Sequence, residues 1–253
     1  MQQNASDPRM PFVVGMIALG IILLGGIIWA VLSAPSTLNT PNGNPNLSFN
    51  DANDPSRGPE NAPVTIRLFG DLECPACRSA EAGVNYVMNT YGDQVRLIWN
   101  DFPLPANVHP NARLAANAAR CAEEQGKFWE MHDELYAAQA SWSRSSNVRG
   151  DFEALASRLD LDAQGFRACL DDRRHDAKVV ADLEEGRANG VNSTPTFFVN
   201  NVMYAGVLSP AQWDGIIKPL LVAAPTPAPT PEPAPEAPII EVEGGDVQID
   251  LGE

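Results

Sequence analysis

The stretch Val64-Thr65-Ile66-Arg67-Leu68-Phe69-Gly70-Asp71-Leu72-Glu73-Cys74-Pro75-Ala76-Cys77 carries the information that sets the fold. Residues 64–69 are apolar and β-branched, which predicts a strand. The cysteine motif follows directly and predicts a helix running to about Tyr91. Side chains at i and i+3 share a helical face, so the two sulfurs can meet. The first-turn N–H groups and the helix dipole favour an anion, and Cys74 is the sulfur nearer the cap. Such thiols titrate at roughly 3.5 to 7.5. Pro75 suits the first helical position, where a missing N–H costs nothing. Cys74 therefore reads as the nucleophile of a thiol–disulfide exchange and Cys77 as the resolving thiol.

Gly92-Asp93 predicts a turn into a second strand, Val95 to Trp99. From Pro110 to about Ala188 the apolar spacing is helical. Leu114, Ala118 and Cys121 share one face, and Phe128, Met131, His132 and Leu135 share another. Ser193-Thr194-Pro195 breaks that run. Thr194-Pro195, at the entry to a strand, is a candidate cis bond. Thr194 would then offer its backbone to an extended substrate segment. Phe197-Phe198-Val199, Asn200-Asn201 and Val202-Met203-Tyr204 predict a hairpin, because Asn tolerates the left-handed turn. Ser209-Pro210 predicts the start of a last helix. The order defines an α/β domain over residues 62–222, a sheet with helices on it and a helical insertion at about 110–188.

The chain has 253 residues and a net charge of −15, from 32 acidic and 17 basic side chains. That balance argues against nucleic acid and against anionic membrane surfaces as partners. Four cysteines are too few for a disulfide-dense scaffold in a chain this long.

Phe12 to Leu32 is a 21-residue run without charge. That is long enough for a transmembrane helix. A cleavable signal would be shorter and end on small residues, and Leu32 and Pro35 are poor around a cut after Ala34. The expected organisation is a short cytoplasmic N-terminus (1–10), an anchor (11–33) and a flexible linker (34–61) rich in Asn, Pro and Ser. Arg9 favours the N-terminus inside and the domain outside. Residues 223–253 are a Pro-rich acidic tail. Its end alternates apolar and polar around Gly244-Gly245, which reads as disordered chain or as a hairpin that docks on a sheet edge.

Cys121 and Cys169 form the second pair. They read as two buried thiols or, outside the cytoplasm, as a structural disulfide. Glu73, beside the nucleophile, is a candidate for tuning its pKa or a solvated surface residue. His109, before Pro110, reads as a residue that caps or orients a helix, without chemistry. The C-x2-C motif could supply half of a zinc site, but no histidine stands at metal spacing, so neither metal nor cofactor is expected.

The chain resembles the DsbA-like, membrane-anchored branch of the thioredoxin superfamily over about residues 60 to 222. The resemblance rests on Ala62-Pro63-Val64-Thr65, Cys74-Pro75-Ala76-Cys77, Asp101-Phe102-Pro103-Leu104, His109-Pro110, Glu124 through His132, and Thr194 through Asn200. It implies a thioredoxin-like fold with a helical insertion, Cys74 and Cys77 as the active cysteines, and Pro195 as the cis-proline. It implies a thiol:disulfide oxidoreductase in the bacterial cell membrane, single-pass, with its catalytic domain outside. Reduced secreted or membrane proteins are the implied substrates, and a quinone-linked protein of the DsbB or VKOR type the implied reoxidant. Two departures bear on direction. Ala76 stands where relatives carry an aromatic or His, and Thr194 precedes the proline as in both oxidases and isomerases. A reductase or isomerase is the alternative. A metallochaperone or redox-inert binding module on the same fold is the rival from another class.

Overall fold

The computed structural model describes residues 47–223. The expected anchor (11–33) and nearly all of the tail (223–253) lie outside the described residues. Among the described residues, no helix is long and apolar enough to cross a membrane.

Five strands form one sheet: β1 (Ser56–Arg57), β2 (Val64–Gly70), β3 (Val95–Asp101), β4 (Thr196–Val199) and β5 (Val202–Ala205). Their order is β1-β3-β2-β4-β5. Only the β2–β3 pair is parallel, with Val64 opposite Val95 and Gly70 opposite Asp101. A parallel pair needs a crossover, and α1 (Pro75–Tyr91) supplies it. β2 is the central strand, so the cysteine motif leaves the sheet at its middle.

Alternation along the strands builds two cores. Ile66, Leu68, Phe197 and Val199 face the larger one, with Trp99 and Trp213. Phe69 and Phe198 point the other way and meet Phe102 and Val191. The helices after β3 are α2 (Ala112–Glu123), α3 (Phe128–Trp142), α4 (Val148–Arg158), α5 (Ala163–Asp171) and α6 (Asp176–Ala188). Caps divide this expected helical run. Asn147 accepts from the Gly150 N–H, and Asp162 accepts from the N–H groups of Gln164 and Gly165.

The hairpin turn has Asn200 at φ 45° and Asn201 at φ 70°. Both are left-handed, as a primed turn requires. The last helix, α7 (Pro210–Ala223), opens with a capping box. Ser209 Oγ accepts from the Gln212 N–H at 3.4 Å, and Gln212 Oε1 accepts from the Ser209 N–H at 2.9 Å.

One expectation needs correction. Residues 47–61, assigned to a flexible linker from their Asn, Pro and Ser content, are packed on the domain. Phe49 sits 5.0 Å from Phe198, centroid to centroid. Asp51 takes a two-pronged bond from Arg67 at 2.7 and 2.6 Å. β1 pairs with the edge of β3. Asp54 is buried beside Arg120. Polar composition concealed this because only Leu47 and Phe49 reach the hydrophobic core, and Asp51 and Asp54 are held by charge partners.

Candidate active site

Gly70 ends β2 where the Trp99 ring lies 2.3 Å from any Cβ placed there, so only glycine fits. The chain then turns through Asp71-Leu72-Glu73. The Cys74 N–H donates to the Asp71 carbonyl at 3.0 Å. Cys74 is the N-cap of α1, with extended backbone, and Pro75 opens the helix.

Cys74 and Cys77 are both buried, at 6% and 2% exposure, and both are free thiols. Their acidities are pushed apart. The Cys77 thiol donating to the Cys74 sulfur, together with the N–H groups of Cys77 and Ala76, draws Cys74 from 9.0 to about 5 despite burial. Burial and the neighbouring Cys74 push Cys77 well above 9.0. The first thiol is thus a thiolate at neutral pH and the second keeps its proton.

The Thr194–Pro195 bond is cis. This loop faces the cysteines, with Cys74 Sγ 3.6 Å from the Thr194 carbonyl oxygen, to which only the protonated thiol can donate. The Thr194 hydroxyl is buried without a hydrogen-bond partner.

Glu73 is buried, and its Oε2 accepts from the Asn111 N–H at 2.7 Å. Burial raises its carboxyl pKa. Cys121 and Cys169 are joined as a disulfide between α2 and α5, with Cα atoms 5.8 Å apart.

Several residues at the site have no counterpart among the sequence candidates. Asp71, fully buried at its side chain, accepts from the N–H groups of Glu73 at 2.7 Å and Leu104 at 2.9 Å. Its other contact is His109 Nδ1 at 2.7 Å, so His109 braces the active-site turn and does not cap a helix. Gln139 of α3 donates to the carbonyls of Leu72 at 2.8 Å and Cys74 at 3.0 Å. The Tyr136 hydroxyl donates to the Asp71 carbonyl at 3.3 Å. The Asp71–Glu73 bond is a local turn signal of the kind Asp makes two residues ahead. Gln139 and Tyr136 lie some 65 residues away in sequence, and nothing local marks them.

Among the described residues, neither Cys74 nor Cys77 belongs to a cluster of three groups able to ligate a metal. Two thiols, one ionised and one not, against a backbone carbonyl make a disulfide-exchange geometry.

A parallel β2–β3 pair with α1 crossing over, a helical insertion and a C-x2-C motif at the first turn define a thioredoxin-like architecture. Residues 50–219 match the thioredoxin family, and the chain belongs to it. It is similar to a thioredoxin-like oxidoreductase from Silicibacter pomeroyi DSS-3, with TM-score 0.59 and 26% identity, covering 72% of this chain and 99% of that one. BdbD from Bacillus subtilis shares the fold with TM-score 0.56 and 23% identity, over 67% of this chain and 91% of that one. Among curated proteins, a Na(+)/H(+) antiporter, NhaA 3 of Salinispora tropica, is 43% identical over 150 residues. That match covers 59% of this chain and only 22% of the antiporter. The likeness is therefore to a segment of that protein.

Proposed function

We propose that this chain is a membrane-tethered, extracytoplasmic thiol:disulfide oxidoreductase that oxidises cysteine pairs of secreted or membrane proteins through Cys74 and Cys77. The supporting observation is the split acidity of two adjacent buried sulfurs, Cys74 at about 5 and Cys77 well above 9.0.

In the oxidised pair, a substrate thiolate attacks the Cys74 sulfur. The Cys74–Cys77 bond breaks, and Cys77 leaves and takes a proton. A second substrate thiolate then attacks the substrate sulfur of the mixed disulfide. Cys74 departs as a stable thiolate, and a low-pKa thiol leaves fast. The substrate gains a disulfide, and the pair holds two electrons that a quinone-linked membrane protein of the DsbB or VKOR type would remove. Thr194 and Pro195 would contact the substrate backbone. The segment 11–33 would hold the domain at the outer face of a bacterial cell membrane.

Cys77→Ala, with Cys74 first converted to its mixed disulfide with glutathione, should exchange glutathione for the thiols of reduced, unfolded secreted proteins and accumulate Cys74–substrate disulfides, visible on non-reducing gels. Absence of adducts with every such protein would sink the mechanism.

A further inference from the structure

Glu81 follows Cys77 by four residues and so shares its face of α1. With Arg78, Asn85, Asp133, Tyr136 and Ala137, it lines a cavity of about 540 Å³ between α1 and α3. His132 lies beneath it at 2% exposure. Its ring is held edge-on by Trp99 and Tyr136, each with centroids 4.8 Å away, and by Trp129 at 5.3 Å.

Nδ1 of His132 is 2.8 Å from Asp133 Oδ1. A carboxylate there holds the proton on Nδ1 and leaves a lone pair on Nε2. That Nε2 is buried and has no hydrogen-bond partner. It stands 3.9 Å from Glu81 Oε1. The gap is too long for a hydrogen bond. Two ligands about 2.1 Å from one tetrahedral ion stand about 3.4 Å apart, so Glu81 need close by only about 0.5 Å to share an ion with Nε2. An imidazole oriented by a carboxylate through its other nitrogen is a common support for a metal ligand.

We infer that Glu81 and His132 bind a divalent cation of the zinc class, with Asp133 as the positioning residue. Two cationic groups face the site. Arg57 donates to Asp133 Oδ2 at 3.2 Å, which leaves Asp133 to orient the imidazole and not to ligate. Arg78 lines the cavity beside Glu81. Water from the cavity completes the coordination, and imidazole with carboxylate selects zinc over calcium or magnesium.

The test uses the full chain with Cys74 and Cys77 oxidised, so that no thiolate ligates, after chelator treatment. Zinc binding is followed by calorimetry, and cobalt by its visible spectrum. One site per chain is expected above the background of the acidic tail. Glu81→Gln should lose that site while keeping its melting temperature, because Glu81 is only partly buried. Asp133→Asn should weaken it by about 10- to 100-fold. If the unaltered chain takes up no zinc, or if Glu81→Gln takes up as much, the inference is overturned. Glu81 and His132 are then only a structural pair.

Discussion

Cys74 and Cys77 sit three residues apart, yet their acidities are pushed apart, because the Cys77 thiol and helix N–H groups donate to the Cys74 sulfur while burial holds the proton on Cys77. A thiolate on Cys74 stabilises the reduced pair and so makes the disulfide more oxidising. Thioredoxin, with a thiol near about 7, has a potential of about −270 mV, and DsbA, near about 3.5, has about −120 mV. A Cys74 value of about 5 lies between theirs, so the potential is expected between about −270 and −120 mV. Equilibration against glutathione checks it, and a value near −270 mV would make the chain a reductase. Alkylation of Cys74 by iodoacetamide should rise as pH passes about 5 and level off well before neutrality. The folded value lies below the unfolded thiol's 9.0. Stability from the thiolate is thus complete above about pH 9 and lost as pH falls through about 5. The melting temperature of the reduced protein, relative to the oxidised one, should climb across that window.

Helices of the insertion hold the Asp71–Cys74 turn from outside the sheet. Gln139 of α3 satisfies the Leu72 carbonyl and gives that of Cys74 a second donor beside the Arg78 N–H, and Tyr136 gives the Asp71 carbonyl a second donor beside the Cys74 N–H. The insertion is itself tied by Cys121–Cys169, 48 residues apart, between α2 and α5. Closing a loop of that length is worth about 4 kcal/mol in the chain-entropy treatment. The double substitution of Cys121 and Cys169 by Ala should lower the urea midpoint accordingly, measured without reductant in a background where Cys74 and Cys77 are both replaced by Ala. An unchanged midpoint would mean that α2 and α5 hold together without the bridge.

Across the whole molecule, one buried guanidinium gathers distant segments. Arg120 of α2 bonds Asp101 of β3 at 2.8 Å, Asp182 of α6 at 2.8 Å and Asp54 of the N-terminal segment at 3.2 Å. Lys178 joins Asp54 and Asp182. Removing one member of such a set leaves buried charge uncompensated, at a cost of about 3–5 kcal/mol. Arg120→Met should therefore be strongly destabilised in thermal melts. A chain beginning at residue 62 should also melt well below one beginning at residue 47. It would lack Asp54, uncover the β3 edge and expose Phe198, where Phe49 now packs. Equal melting temperatures would show that residues 47–61 add nothing to the domain.

Most of the architecture could be read along the chain. Strand alternation in 64–69, the helix start at Cys74-Pro75, the Asn200-Asn201 turn and the Ser209-Pro210 cap are local, since each depends on a few neighbouring side chains and backbone angles. The two reactive sulfurs belong to the same class, because their spacing and their position at a helix start lie within four residues. Tertiary packing decided the rest. Packing buried both thiols, seated Gln139 and Tyr136 on the Asp71–Cys74 turn and drew residues 47–61 into the domain around Arg120. It also brought His132 to Glu81, 51 residues apart, where no metal spacing could be seen. Desolvation and charge pairing depend on what surrounds a group in space, and a one-dimensional pattern of polar residues does not carry that information.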